Sequence, residues 1–379
     1  MKILLTGIDG YCGWPLALNI SKKFKKSQII GVDNLSRRRW VKQSKSDSAI
    51  SIKSMHQRIK TAKKFGFNNI KFIKGDLTNA FFTKNIFKKY NFDVVIHCAS
   101  QPSAPYANLN LSNAIFTLKN NNISLLNILW SIKKFGKENI KLINTSTTGV
   151  YGQPNFRIPE GFVHIKKQGK DILPFTNLGG SWYHITKSHD LNNLHLANRL
   201  WGTKIIDMRT AIVYGASTED TSLHSDLNTR FDFDFNFGVV LNRFCAMSAI
   251  NHNLIVYGKG LQKRPFVSLV DFVKSITNLI SYKQKKSFEV FNQTSELLSI
   301  RFLAETISKN AIKLGSTSRV KFIKNPRVEK EKHNMKMENK NFLKVLKSNP
   351  INFKDESKLI IKSLIKNKFK IIKYRKSLI

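Results

Sequence analysis

The chain has 379 residues, 41% of them hydrophobic, which suffices for one large domain or a nucleotide-binding domain with a smaller lobe and excludes general disorder. Its 64 Lys and Arg against 24 Asp and Glu give a formal charge of +40, which points either to an anionic partner or to a solvated basic surface; the even spread of the lysines favours the second and makes nucleic acid the less expected ligand. Cys12, Cys98 and Cys245 are odd in number and far apart, which excludes a disulfide framework or a zinc spacing and fits a reducing cytoplasm; no stretch reads as a leader or a membrane span.

The first predicted strand, Lys2–Thr6, runs straight into Gly7-Ile8-Asp9-Gly10-Tyr11-Cys12-Gly13. Glycines serve where a turn is tight, where backbone approaches a pyrophosphate and where helix meets sheet. A helix starting there offers its free N–H groups to the phosphates. A small packed side chain is the favoured reading of Cys12, ahead of a redox switch. The second strand, Gln28–Val32, ends at Asp33, an acidic residue suited to adenosine ribose hydroxyls and hostile to a 2′-phosphate. Arg37, Arg38 and Arg39 pull the other way, since an arginine can accept the phosphate of NADP; Asp33 decides the expectation for NAD. Residues 36–64 read as a polar, basic insertion with a helix.

A third strand over Ile70–Lys74 leads to Gly75-Asp76-Leu77, where Asp76 either accepts from an adenine amino group or caps the next helix. Helical periodicity over Ala80–Tyr90, a strand at Val94–His97, a helix over Ile123–Phe135 and a strand at Lys141–Asn144 complete a βαβ rhythm. The expected fold is α/β, a Rossmann-type doubly wound parallel sheet. The fifth strand leads into Thr145-Ser146-Thr147-Thr148, and Tyr183-His184-Ile185-Thr186-Lys187 puts a phenol and an ammonium on one helical face. A phenol is a poor base near neutrality unless a nearby cation stabilises its anion. His184 relays a proton, packs, or binds substrate; no histidine has metal-ligand spacing.

Glycine loop, hydroxyl-bearing strand end and Tyr/Lys helix, in that order, resemble the extended short-chain dehydrogenases/reductases, and within them the UDP-sulfoquinovose synthases. Gly10-Tyr11-Cys12-Gly13-Trp14, Gln101 with Ser103-Ala104-Pro105-Tyr106, Leu241-Asn242-Arg243-Phe244-Cys245 and Asn325-Pro326-Arg327-Val328-Glu329 carry the likeness. It implies an NAD-binding Rossmann domain over 1–205, to which later segments return, a sugar-nucleotide lobe mainly over 206–347, and a basic C-terminal helix or tail over 348–379. It implies Thr147, Tyr183 and Lys187 as catalytic residues. Gly7, Gly10, Tyr11, Cys12, Gly13, Asp33, Asn34, Arg37, Asp76 and Leu77, together with Tyr183 and Lys187, would hold NAD. Gln101, His184, Arg230, Asn242, Arg264 and Arg327 would hold a nucleotide sugar, UDP-glucose first. Sulfite, or an enzyme delivering it, and a second copy of the chain are the implied partners.

Several positions depart from the family pattern. Val150 replaces a glutamate, Pro102 an arginine, Ser100 a glutamate and Thr148 a methionine, and Arg209 stands where the family is neutral. Valine moves no protons, and losing an arginine removes a cation for an anionic co-substrate. Oxidation at the sugar C4 is expected to survive. Elimination and sulfite addition stand beside 4-epimerisation, another dehydration, and a non-catalytic, RNA-binding Rossmann protein as open alternatives.

Overall fold

The computed structural model describes residues 1–152, 154, 156–164, 172–173, 179–325 and 335–378. Seven parallel strands form the main sheet: β1 (Lys2–Thr6), β2 (Gln28–Asp33), β3 (Ile70–Lys74), β4 (Val94–His97), β5 (Lys141–Thr147), β6 (Lys204–Thr210) and β7 (Phe288–Gln293). Their order is β3-β2-β1-β4-β5-β6-β7. The direction of winding reverses between β1 and β4, which opens a crevice at the carboxyl ends of those strands.

Side chains alternate across β1 and divide between two cores. Ile3 and Leu5 face a layer that includes α1 (Gly13–Lys23), while Leu4 faces α4 (Ala80–Tyr90), α5 (Ser124–Phe135) and α6 (Trp182–Trp201). The insertion forms two helices, α2 (Ser36–Gln43) and α3 (Met55–Lys64). Trp40 of α2 stacks on Phe237, tying the insertion to the second half of the chain.

A second hydrophobic cluster joins α7 (Val240–Ala249), α9 (Ile300–Ile312) and α11 (Phe353–Lys366). Between them in sequence, α8 (Leu269–Ile280) and β7 go back to the main sheet, and α10 (Lys340–Leu346) follows them. Two small sheets complete this half: Leu254–Tyr257 with Val320–Ile323, and Ile212–Tyr214 with Lys263–Ser268 and Glu296–Ser299.

One expectation changes: strand β5 extends past Asn144 to Thr147, because β6 offers partners as far as Thr210. Of the helix or tail expected at the C-terminus, the segment forms helix: Phe353, Ile360, Ile361 and Leu364 are buried in the second cluster at helical spacing, and Asn352 caps α11. The abundance of lysine in this segment masks that apolar stripe.

Candidate active site

A cavity of about 950 Å³ lies in the crevice between β1 and β4 and extends to the second lobe. Its floor is the glycine loop. Gly7 has φ +75°, and a Cβ there would stand 2.9 Å from the Ala99 nitrogen. A Cβ on Gly13 would stand 2.0 Å from the Gly7 carbonyl oxygen, so helix and loop touch backbone to backbone. Gly10, Tyr11 and Cys12 line the same floor. Burial pushes the Cys12 thiol far up, so it stays protonated and unreactive.

Asp33 faces the cavity and also braces the loop, accepting from the Asp9 and Leu35 backbone N–H groups at 3.0 and 2.6 Å. Burial, then the neighbouring Asp9 carboxylate, raises its pKa to about 6. Two of the three arginines are ion-paired: Arg37 forks onto Asp232 at 2.8 and 3.0 Å and Arg38 onto Asp9 at 2.7 Å twice, while the exposed Arg39 donates to Ser36. The carboxylate of Asp33 at the end of β2 is what argues for NAD over its 2′-phosphorylated form. Asn34 and Asp76 meet at 3.0 Å beside Leu77 on the cavity wall. Asp76 accepts from Thr78, while Asn79 caps α4, which removes the capping alternative for Asp76. Open backbone, a tight helix junction and an acidic residue at the end of β2 together fit a dinucleotide.

At the other end, Thr147 from β5 and Tyr183 from α6 share the wall with His184. Ser181 caps α6 by accepting from the His184 N–H, which fixes the first turn that bears Tyr183. Burial pushes the Tyr183 phenol up, while Lys187 and the hydrogen-bonded Thr147 pull it down. Lys187 is buried one helical turn on. Its Nζ lies 3.3 Å from Asp190 Oδ2 and 3.4 Å from the Thr145 carbonyl. Burial alone would lower its pKa, but Asp190 and then Tyr183 outweigh this and hold it charged. Asn122, in a π-helical turn at Lys119–Ile123, donates to Asp190 at 2.8 Å and to the Thr186 carbonyl. Burial and Arg264 push His184 down to about 4, so it is neutral near pH 7. Gly149 makes room for that ring, since a Cβ there would stand 2.2 Å from His184 Cδ2.

Arg264 lines the cavity, and Arg327 lies outside the described residues. Three expected substrate residues stand behind the wall instead. Gln101 is buried, with its amide spent on Ser103 and Thr117. Arg230 is buried against Asp232, the carboxylate that also holds Arg37. Asn242 bonds the Gly215 N–H and the Tyr11 hydroxyl, which in turn donates to the Gly215 carbonyl at 2.6 Å. Directly or through Asp232, each supports a residue that does face the cavity: Ser103, Arg37 and Tyr11. Sequence reasoning missed Gly149, Asp190 and Asn122; Asp190, at i+3 from Lys187, was the one with a readable signal.

The departures divide likewise. Ser100, Pro102 and Thr148 line the cavity. Val150 instead packs with Tyr151 and Ile158, and the Arg209 guanidinium lies 4.7 Å from the Tyr151 ring centre and 3.3 Å from Asp207, both behind the wall. Among the described residues no helix is long and apolar enough to cross a membrane.

The profile of the NAD dependent epimerase/dehydratase family matches residues 3–292. The chloroplastic UDP-sulfoquinovose synthase of Spinacia oleracea is 39% identical, over 88% of this chain and 69% of that protein. The UDP-sulfoquinovose synthase of Sulfolobus acidocaldarius is 38% identical, over 88% and 84%. Among solved structures, the Thermotoga maritima UDP-glucose 4-epimerase with UDP-glucose aligns with TM-score 0.71 at 20% identity, over 97% of this chain and 99% of that one. The Bacillus cereus UDP-glucuronic acid 4-epimerase with UDP-glucuronic acid and NAD gives 0.71 at 19%, with the same coverage. The profile match and the two synthases carry the assignment, and the solved structures agree with it in fold: the chain belongs to the NAD dependent epimerase/dehydratase family and is an NAD-dependent enzyme.

Proposed function

We propose that the chain converts UDP-glucose and sulfite to UDP-sulfoquinovose and water by way of a transient 4-keto sugar. The observation that carries this reading is the convergence of the Tyr183 phenol, the Thr147 hydroxyl and the buried Lys187 ammonium at one end of a dinucleotide-sized cavity. Similarity to two UDP-sulfoquinovose synthases supports the substrate pair. Bound NAD, held by the glycine loop and Asp33, would supply the hydride acceptor and donor for the sugar C4. Tyr183 takes the 4-hydroxyl proton, Lys187 stabilises the phenolate, and Thr147 orients the sugar oxygen. With C4 a ketone, the C5 proton becomes acidic and water leaves from C6. Sulfite adds to C6, a proton returns to C5, and hydride returns to C4, so the sequence is redox-neutral. Arg264 and Arg327 suit the diphosphate as guanidinium partners.

A second reading is 4-epimerisation or a dehydration without sulfite. Ser100, Pro102 and Thr148 favour it, because all three line the cavity and Pro102 removes a cation. The experiment is purified protein with NAD, UDP-glucose and sulfite in deuterated water, followed by mass spectrometry. A sulfonated product carrying one deuterium supports the first reading. UDP-galactose without deuterium supports the second and overturns the first.

The protein would work as a homodimer. Leu111, Ile115 and Ile123, with Leu196 and Leu200 of α6, are large apolar side chains exposed on neighbouring helices, a face suited to a second copy. Sedimentation velocity reads this state directly. The three free cysteines suit the reducing cytoplasm as its place of work.

A further inference from the structure

We infer that the outer face of the C-terminal helices docks on an anionic lipid surface. Helix α11 and the following α12 (Lys368–Lys373) are anchored through Ile360, Ile361, Leu364 and Ile371, all buried in the second cluster. They are therefore no loose tail. Ser377 and Leu378 fasten the end of this segment, accepting through their carbonyl oxygens from the Phe235 N–H and the Arg243 guanidinium. Opposite the buried residues, Leu359, Lys362 and Lys366 share one face of α11. Phe369, Ile372 and Lys373 continue outward on α12. Phe369 is 79% exposed and Leu359 60%.

The charge on this face is mostly positive, and the exposed carboxylates on or beside it are paired: Glu219, which shares a small pocket with Leu359, meets Lys22 at 3.2 Å. Asp355, one turn before Leu359, is paired with Lys358 at 3.0 Å, and Lys370 is paired with Asp47 at 3.3 Å. Lys362, Lys366, Lys368 and Lys373 have no ion pair with a described carboxylate. Apolar side chains interleaved with lysines match a bilayer surface, where the rings and branched chains enter the headgroup boundary and the ammonium groups reach anionic phosphates. A second copy would bring like charge against like. RNA would use the lysines but leave Leu359 and Ile372 without a role, since single strands are held by aromatic platforms.

The test is flotation of the full chain with vesicles of 30% phosphatidylglycerol in phosphatidylcholine, against phosphatidylcholine alone, in 0.1 M salt. A net charge of +40 makes any face adhesive, so charge must be removed in two places. K362E/K366E should weaken binding by at least about 25-fold, since losing each lysine charge near the surface costs roughly fivefold and each glutamate adds repulsion. K25E/K26E, the same change on an exposed turn elsewhere, should leave it within about twofold, and F369S/I372S should weaken it about tenfold. NAD binding by calorimetry confirms that each variant is folded. Equal losses in the two charge variants, equal binding to neutral vesicles, no binding to the anionic vesicles, or no loss in F369S/I372S overturns the inference.

Discussion

The two ends of the cavity are built in different ways. At the cofactor end, short stretches of sequence do most of the work. Gly7 to Gly13 make the floor, Asp33 pins Leu35 two residues on, and Asp76 pins Thr78. Long-range support comes from Arg38 and Arg58, which hold Asp9, and Arg58 lies 4.2 Å from the Trp14 ring centre. At the sugar end the wall is assembled from β5, α6, the segment around residues 100–102, and the second lobe. Backbone contact leaves the first end little freedom. Side chains on separate elements leave the second open to change, and there Ser100, Pro102 and Thr148 depart from the family pattern. Cofactor chemistry and substrate choice are thus separable in this fold.

Substitutions at each end can break or sharpen that contrast. Gly13→Ala should have the largest effect, since its Cβ would stand 2.0 Å from a backbone oxygen. NAD affinity should fall by more than about 100-fold in calorimetry. Asp190→Asn should cost about 30-fold in kcat/KM with NAD binding retained. Without the carboxylate, burial lowers the Lys187 pKa, so the alkaline limb of the pH–rate profile should move to lower pH. Gly149→Ala should raise KM for the nucleotide sugar about tenfold by pushing the His184 ring, again without changing NAD affinity.

The smallest effect is a pH dependence at the cofactor end. Asp33 has its pKa raised to about 6, so its charge is present above that pH and lost below it. NAD affinity should therefore weaken severalfold between pH 7.5 and pH 5, measured by calorimetry. Asp33→Asn should bind NAD weakly at both pH values.

The same contrast governs what could be read from the sequence. Strand β1, the glycine loop and Asp33 were legible because their signals are local: an apolar run, glycine spacing and an acidic residue at a strand end. Tyr183 and Lys187 were legible because a helix makes i and i+4 neighbours. Gln101, Arg230 and Asn242 were assigned by resemblance to contact with the nucleotide sugar; Asn242 instead braces Tyr11, 231 positions earlier, while Gln101 and Arg230 turn to Ser103 and Asp232 two residues on, and local spacing does not tell such a brace from a ligand contact. The same reason hid Gly149, whose purpose depends on a ring 35 positions later. Helix α11 was readable in principle from Phe353, Ile360, Ile361 and Leu364, but lysine dominated its composition.

The most direct test measures turnover of UDP-glucose by the Tyr183→Phe variant, with NAD binding measured on the same preparation. Loss of the phenolic oxygen should lower kcat about 1,000-fold and leave NAD affinity within about threefold. A variant that binds NAD and turns over at the native rate would contradict the assignment of the proton-abstracting group.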